Sequence, residues 1–264
     1  MQSHGHSIAS GDADLEGQHR LSASAAMDAC DGFIKSGISG VFFIPFVTPT
    51  NEDDPNLEII GRLQASGIEV VLLDRDIVRY PGRSEHDLVT VDHMRGAAAL
   101  TNHLIGLGHR ELAFWIAPDT ADTMQLRIAG IQHATSLAGL TFGRNDVHSC
   151  DPSDREAVSR LLKTHRPTAI ICENDVFAAS LMRTLFALGI HVPKDISVAG
   201  YDDVHYSSLL TVALTTVAQP CEHLGVAAAQ IMLSRIKHRD LPPRAVLLNP
   251  AVVVRESTAV PAGR

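Results

Sequence analysis

Short apolar runs alternate with stretches of helical periodicity along most of the chain, and this alternation restricts the fold more than any other feature. The runs lie at residues 41–44, 70–73, 88–91, 112–116, 169–172 and 196–199. Each is nearly continuous in apolar residues, the pattern of a parallel strand covered on both faces. Between them, apolar residues recur at helical spacing over residues 23–35, 56–65, 95–107, 124–138, 153–164, 176–188 and 222–237. Three later runs, at 215–217, 245–248 and 252–254, read as crossover or edge strands. The predicted fold class is α/β, with parallel sheets covered by helices. Some helix ends are legible too. Ser153 and Glu156 have the spacing of a capping box, and Gly108, Gly139 and Gly189 follow helical runs where a left-handed cap is needed.

Composition excludes several function classes. The 264 residues suffice for one large or two modest domains. A 45% apolar content rules out a disordered chain. The formal net charge of −8 opposes any grip on nucleic acid, which relies on clustered Lys and Arg. No apolar run approaches the roughly 18 residues of a membrane span. The start lacks a basic segment followed by an apolar one, so no export signal is expected. Cys30, Cys150, Cys172 and Cys221 form no CxxC pair, and reduced thiols in a cytoplasmic protein are the simplest reading. There is no GxSxG, P-loop, HExxH or strand-borne GxGxxG. The 14 histidines, His4 and His6 included, show no metal-ligand spacing. No catalytic residue, metal or cofactor is expected.

The densest motif runs Val192-Pro-Lys-Asp-Ile-Ser-Val-Ala-Gly-Tyr-Asp-Asp203. It reads as a buried strand that ends at Gly200 and releases Asp202 and Asp203 where α/β proteins gather ligands. With it go Gly37-Ile-Ser-Gly-Val-Phe-Phe-Ile-Pro45, Val70-Val-Leu-Leu-Asp-Arg75, Val91-Asp92 and His103-Leu-Ile-Gly-Leu-Gly-His-Arg110. Arg127-Ile-Ala-Gly130, Glu173-Asn-Asp175, Thr215-Thr-Val-Ala-Gln-Pro220 and Val254-Arg-Glu-Ser-Thr258 complete the series. In this joint order, from about Gly37 to Thr258, the chain resembles the effector-binding core of LacI/GalR transcription regulators.

That resemblance implies two doubly wound parallel-sheet subdomains of the type I periplasmic-binding-protein kind, with a central ligand cleft. The implied subdomains are residues 1–117 with 221–240, and 118–220 with 241–264. The chain would cross between them near Ala117-Pro118, near Gln219-Pro220 and around residues 241–243, with proline stiffening each crossing. The implied function is sensing of a small effector, a sugar or sugar derivative, by a homodimer whose N-terminal subdomain carries the switching part of the interface. Operator DNA would be a partner only of an intact full-length form. Two other classes stay open: a solute-binding protein of a sugar transport system, and an enzyme on a similar two-lobed fold.

By the resemblance, Arg127 offers a cleft guanidinium able to hold hydroxyls or a carboxylate; its ordinary alternative is a surface ion pair. Asn174 faces the ligand or caps the following helix, with Asp175 competing for the cap. Asp202 meets the ligand or closes an Asx turn. Gln219 lies at the second crossing, Thr123 and its neighbour Asp122 line the mouth, and Arg95 is either a cleft residue or a solvated helix start. Aromatic residues make up only 5%. Pro152 stands where many relatives carry an aromatic, and Trp115 and Tyr201 are the remaining candidates for a platform, Trp115 being the better core residue.

The resemblance is incomplete at the start. In the family a helix-turn-helix and a hinge helix come first, then a strand, a helix and a second strand. A fainter likeness at residues 7–10 corresponds to that second strand, and no helix-turn-helix is found. The chain is therefore expected to be an N-terminally truncated regulator. Without the central first strand, the strand at 41–44 is expected to expose an apolar edge of unpaired amides.

Overall fold

The structure, a computed structural model, describes residues 23–47, 54–118 and 121–262. In chain order the elements are α1 (Ala23–Ser36), β1 (Gly40–Phe43), α2 (Pro55–Ala65), β2 (Glu69–Leu73), β3 (Asp87–Val91) and α3 (His93–Gly106). They continue with β4 (Leu112–Ile116), α4 (Thr123–Leu137), β5 (Val147–Ser149), α5 (Arg155–His165), β6 (Ala169–Cys172) and α6 (Asp175–Ala187). The last are β7 (Ser197–Ala199), β8 (Thr216–Ala218), α7 (Cys221–Lys237), β9 (Ala245–Leu248) and β10 (Ala251–Val253). The expected strand at residues 7–10, with His4 and His6, lies outside the described residues.

Among the described residues two four-stranded parallel sheets result, in the orders β1-β2-β3-β9 and β5-β4-β6-β7, and β10 pairs antiparallel with β8. Burial on both faces explains the continuous apolar runs. In β2, Val70 and Leu72 pack with Ile59, Ile60 and Leu63 of α2 and Cys30 of α1. Their alternating neighbour Val71 packs with Ala228, Ile231 and Met232 of α7 on the opposite face. In the second sheet the same alternation sends Trp115, Ile170 and Val198 one way and Phe114, Ile171 and Ala199 the other. β5 escapes the sequence reading, because Val147-His-Ser149 holds a single apolar residue and earns its strand from pairing with β4. Among the described residues β1 pairs only with β2, and Phe42 and Ile44 are exposed.

Sheet membership moves two of the three expected crossings. The side chains of α3, Ala97, Leu100 and Leu104, pack with Leu112, Phe114 and Ile131, so α3 and β4 belong to the second lobe. The first passage is thus at Asp92, not near Ala117-Pro118. β9 pairs with β3, so the third passage is at Asn249-Pro250, not at residues 241–243. The prolines at 242 and 243 instead sit in a turn of the first lobe. Arg235 binds that turn, donating to the carbonyls of Arg239, Leu241 and Pro242 while its Nε holds the buried Asp87 carboxylate at 2.9 Å. Residues 93–117 and 241–248 therefore change lobes, and the passage at Gln219-Pro220 lies between β8 and α7.

Capping differs from the sequence reading at α5. Asp154, not Ser153, caps α5, accepting from the amides of Glu156 and Ala157, while the Ser153 hydroxyl donates to Asp151. Asp and Ser cap about equally well, and the Asp154 carboxylate gains in addition from the positive end of the helix. At α6 the cap is Asn174, one of its two expected roles, and the competing Asp175 does not take it.

A close helix crossing fixes how α4 is held. Gly130 of α4 lies against the first turn of α3, where a Cβ would fall 2.2 Å from the Met94 carbonyl oxygen. The exposed Gly61 of α2 has open space in the same place. Gly130→Ala is predicted to destabilise by about 1–3 kcal/mol through overpacking, whereas Gly61→Ala should stabilise by about 0.5–1 kcal/mol. Urea midpoints of the two variants check the opposite signs.

Candidate functional site

In the second sheet the chain passes from the central β4 out to β5 and returns to β6 on the other side of β4. The connections that leave the carboxyl ends of β4 and β6 therefore run in opposite directions, which makes this the switch point of the sheet, where α/β folds place their ligand crevice. Arg127 enters it from α4. Its Nη1 donates to the Glu173 carbonyl just beyond β6, and its guanidinium carbon lies 3.5 Å from the centroid of the Tyr201 ring. The residue is 6% exposed, and its Nε has no hydrogen-bond partner among the described residues. A buried guanidinium with a spare donor is suited to an oxygen-rich ligand.

Asp202 follows β7 with φ 108°, and its Oδ1 accepts from Gln219 Nε2 at 2.6 Å. Its neighbour Asp203 is turned away, bound by Arg255 at 2.5 Å. Both conformations depend on Asp175, whose 0%-exposed carboxylate accepts from Thr216 Oγ1 at 2.5 Å and from the Val204 amide at 3.0 Å. The loop after β7 is thereby fastened to β8, which leads into Gln219.

The first lobe contributes from its own strand ends. Asp74 follows β2 with φ 66° and accepts from Arg75 Nε and Nη2 at 2.9 and 2.7 Å. His93, at the first passage between lobes, is 1% exposed. Its Nε2 lies 3.4 Å from Thr90 Oγ1 and 3.8 Å from Asp74, and its ring centroid is 6.1 Å from that of Tyr201. His93 Nδ1 and Tyr201 Oη, like Arg127 Nε, lack partners among the described residues. Among the described residues four non-glycine positions have positive φ, and three of them, Asp74, Asp202 and Asp203, stand at strand ends. Such conformations cost on the order of 1–3 kcal/mol each and cluster at functional sites.

Of the residues expected from sequence, Arg127, Asp202 and Gln219 come together, and Thr123 is buried in the first turn of α4. Asn174 spends its Oδ1 on the Phe177 amide as the α6 cap, and its Nδ2 lies 3.4 Å from Glu173 Oε1. Arg95 has the solvated alternative: its side chain is 66% exposed and turns back to Asp92. Trp115 is fully buried in the core. His93 escaped the reading; its signal was the Asp92 cap, which places the next residue at the junction of lobes. Among the described residues no group of three or more His, Cys, Asp or Glu could hold a metal ion.

Burial dominates the electrostatics. It pushes the Asp202 carboxyl up, against Arg127 and the Gln219 hydrogen bond, and the Tyr201 phenol up to about 12. It pulls Arg127 down, opposed by Tyr201 and Asp202. His93 falls from 6.5 to about 4, first through burial and then through Arg127. Between these two values the unfolded chain takes up a proton that the folded one refuses, so stability is lost as pH falls through the window. The His93 contribution is predicted to be roughly 3 kcal/mol from pH 6.5 to 4. Urea unfolding of wild type and His93→Gln across this range should show the slope in wild type and its loss in the variant; equal slopes would remove His93 as the source.

Comparison with known proteins identifies the family and agrees with the fold. The family model described as a periplasmic binding protein-like domain matches residues 101–258, more than half of the chain. The HTH-type transcriptional repressor PurR of Photobacterium profundum is 30% identical over 209 residues, 78% of this chain and 61% of the repressor. The chain thus spans about three fifths of that relative's length. A transcriptional regulator CelR–cellobiose complex has a TM-score of 0.74 at 25% identity, over 89% of this chain and 71% of that one. A LacI family regulator from Enterococcus faecium with bound ribose has a TM-score of 0.71 at 23% identity, over 89% and 85%. The chain belongs to the periplasmic binding protein-like domain family and has the effector-binding core of the LacI/GalR regulators.

Proposed function

We propose that this chain is the effector-sensing core of a LacI/GalR-type transcription regulator, with a sugar or sugar derivative taken up between its lobes. The observation that carries this is the meeting of Arg127, Asp202 and Gln219 with Asp74 and His93, groups from both lobes, around unpartnered Arg127 Nε, Tyr201 Oη and His93 Nδ1. A sugar hydroxyl can accept from a guanidinium and donate to a carboxylate, which suits this mixture. Binding across two lobes favours their closed arrangement and shifts a population rather than driving a reaction. The similarity to a transcription repressor favours regulation over a solute-binding role in transport. A cytoplasmic location, a homodimer, and operator DNA as partner of a full-length form belong to the same proposal. No described helix is long and apolar enough to cross a membrane.

Thermal unfolding with ribose, cellobiose, ribose 5-phosphate and hypoxanthine tests it. A sugar at 100 times its Kd should stabilise the chain by about 2.7 kcal/mol. Asp202→Asn, which the positive φ tolerates, should weaken that binding about tenfold or more. Saturable binding that Asp202→Asn leaves untouched, or no response to either sugar, would count against this reading.

A further inference from the structure

The lobes are joined along one side only. In the first lobe two of the three passages leave from the neighbouring strands β3 and β9, and the other enters α7. In the second lobe two of them leave from β8 and β10, which the Ala199–Thr215 and Asp202–Ala218 bridges attach to the β7 end of the sheet, and the first enters α3, which packs on both β8 and β10. A contact on the opposite side of the cleft is therefore one that opening of the lobes must break.

One ion pair stands there. Arg79 Nε lies 3.0 Å from Asp122 Oδ2. Arg79 belongs to the loop after β2, one strand farther from the passages than β3. Asp122 lies between β4 and α4, and β4 is two strands away from β7, roughly 10 Å at the usual strand spacing. The two loops come from different lobes and meet only through the folded arrangement.

Both sides are built for the contact. Asp122 occupies the N-cap position of α4 yet makes no side-chain cap bond, so its carboxylate remains available to Arg79. The loop that carries Arg79 is braced from within. Asp76 accepts from the Val78 and Ser84 amides at 3.0 and 3.3 Å and pairs with Arg83 at 3.2 Å, and the Gly82 amide closes a turn onto the Arg79 carbonyl at 2.8 Å. A braced loop holds its arginine out at lower entropic cost than a free one. The Arg79 and Asp122 side chains are 56% and 48% exposed, so salt screens the pair.

We propose that Arg79 and Asp122 form an interlobe clasp that favours the closed arrangement and slows release of the effector. The affinity part rests on the effector reading above; the closure part does not. Exposed pairs of this kind are worth up to about fivefold in an equilibrium. The test uses spin labels at Glu58→Cys and Gln132→Cys, exposed sites on α2 and α4, with the exposed Cys221 changed to Ser. Electron–electron distance measurements on the unliganded protein should show longer interlobe distances in Arg79→Asp. They should return to the wild-type distribution in Arg79→Asp/Asp122→Arg. Sodium chloride at about 0.5 M should move wild type toward Arg79→Asp. Identical distributions in all three, or no rescue by the double reversal, overturn the clasp. With ribose or cellobiose, Arg79→Asp should raise Kd about two- to fivefold through faster dissociation; altered distances with unchanged Kd overturn the affinity part. If neither sugar binds any form while the distances shift as expected, the clasp stands and the effector reading fails.

Discussion

A guanidinium buried at the junction of two lobes is the interaction on which most of this architecture turns. Removing a cation from water costs several kcal/mol unless its surroundings replace the lost hydration. Around Arg127 the replacement is shared. The Tyr201 ring lies under the guanidinium, the Glu173 carbonyl accepts from it, and the carboxylates of Asp202, Asp74 and Glu173 oppose the effect of burial. These groups come from the ends of β2, β6 and β7, and the arginine from α4. The ends of three strands from both lobes are thus placed with respect to one side chain.

Backbone proximity makes this arrangement reachable. α4 can bring Arg127 to Tyr201 because Gly130 lets it approach the first turn of α3, and Gly96 leaves room for the Tyr201 hydroxyl, where a Cβ would sit 2.5 Å away. Both contacts involve the segment that follows the first passage between lobes. A movement of α3 is therefore felt at the arginine. The buried Asp175 performs the equivalent task on the other side. It ties the loop after β7 to β8 and so sets Asp202 beside Gln219 at the second passage.

Much of this was legible in the sequence, and the failures have particular causes. The parallel strands were readable because burial on both faces leaves continuous apolar runs; β5 was not, since its place depends on pairing with β4. Lobe membership was misassigned for α3, β4 and β9. Amphipathic patterning says that α3 buries a face but not against which sheet, and Leu112 and Phe114 supply that surface only in three dimensions. Arg127, Asp202 and Gln219 were singled out through their motifs, and the structure brings their side chains together. His93 was missed because a histidine beside a cap residue looks like any helix start until Asp74 and Tyr201 close over it.

By itself the sequence determined the α/β class, the parallel strands and the strand-end acids, because hydrophobic periodicity and local backbone chemistry act over a few neighbouring residues. Which strand-end side chain caps, which is buried and which meets the arginine was decided only by tertiary structure. Asn174 and Asp175 are adjacent and similar in capping preference, yet one caps α6 while the other is sealed beneath Thr216 and Val204. The same holds for Arg79 and Asp122, 43 positions apart, whose pairing exists only because the two lobes close toward each other. Contacts between lobes leave no periodic trace in a chain, since they are set by how whole sheets pack and hinge rather than by what any short segment prefers.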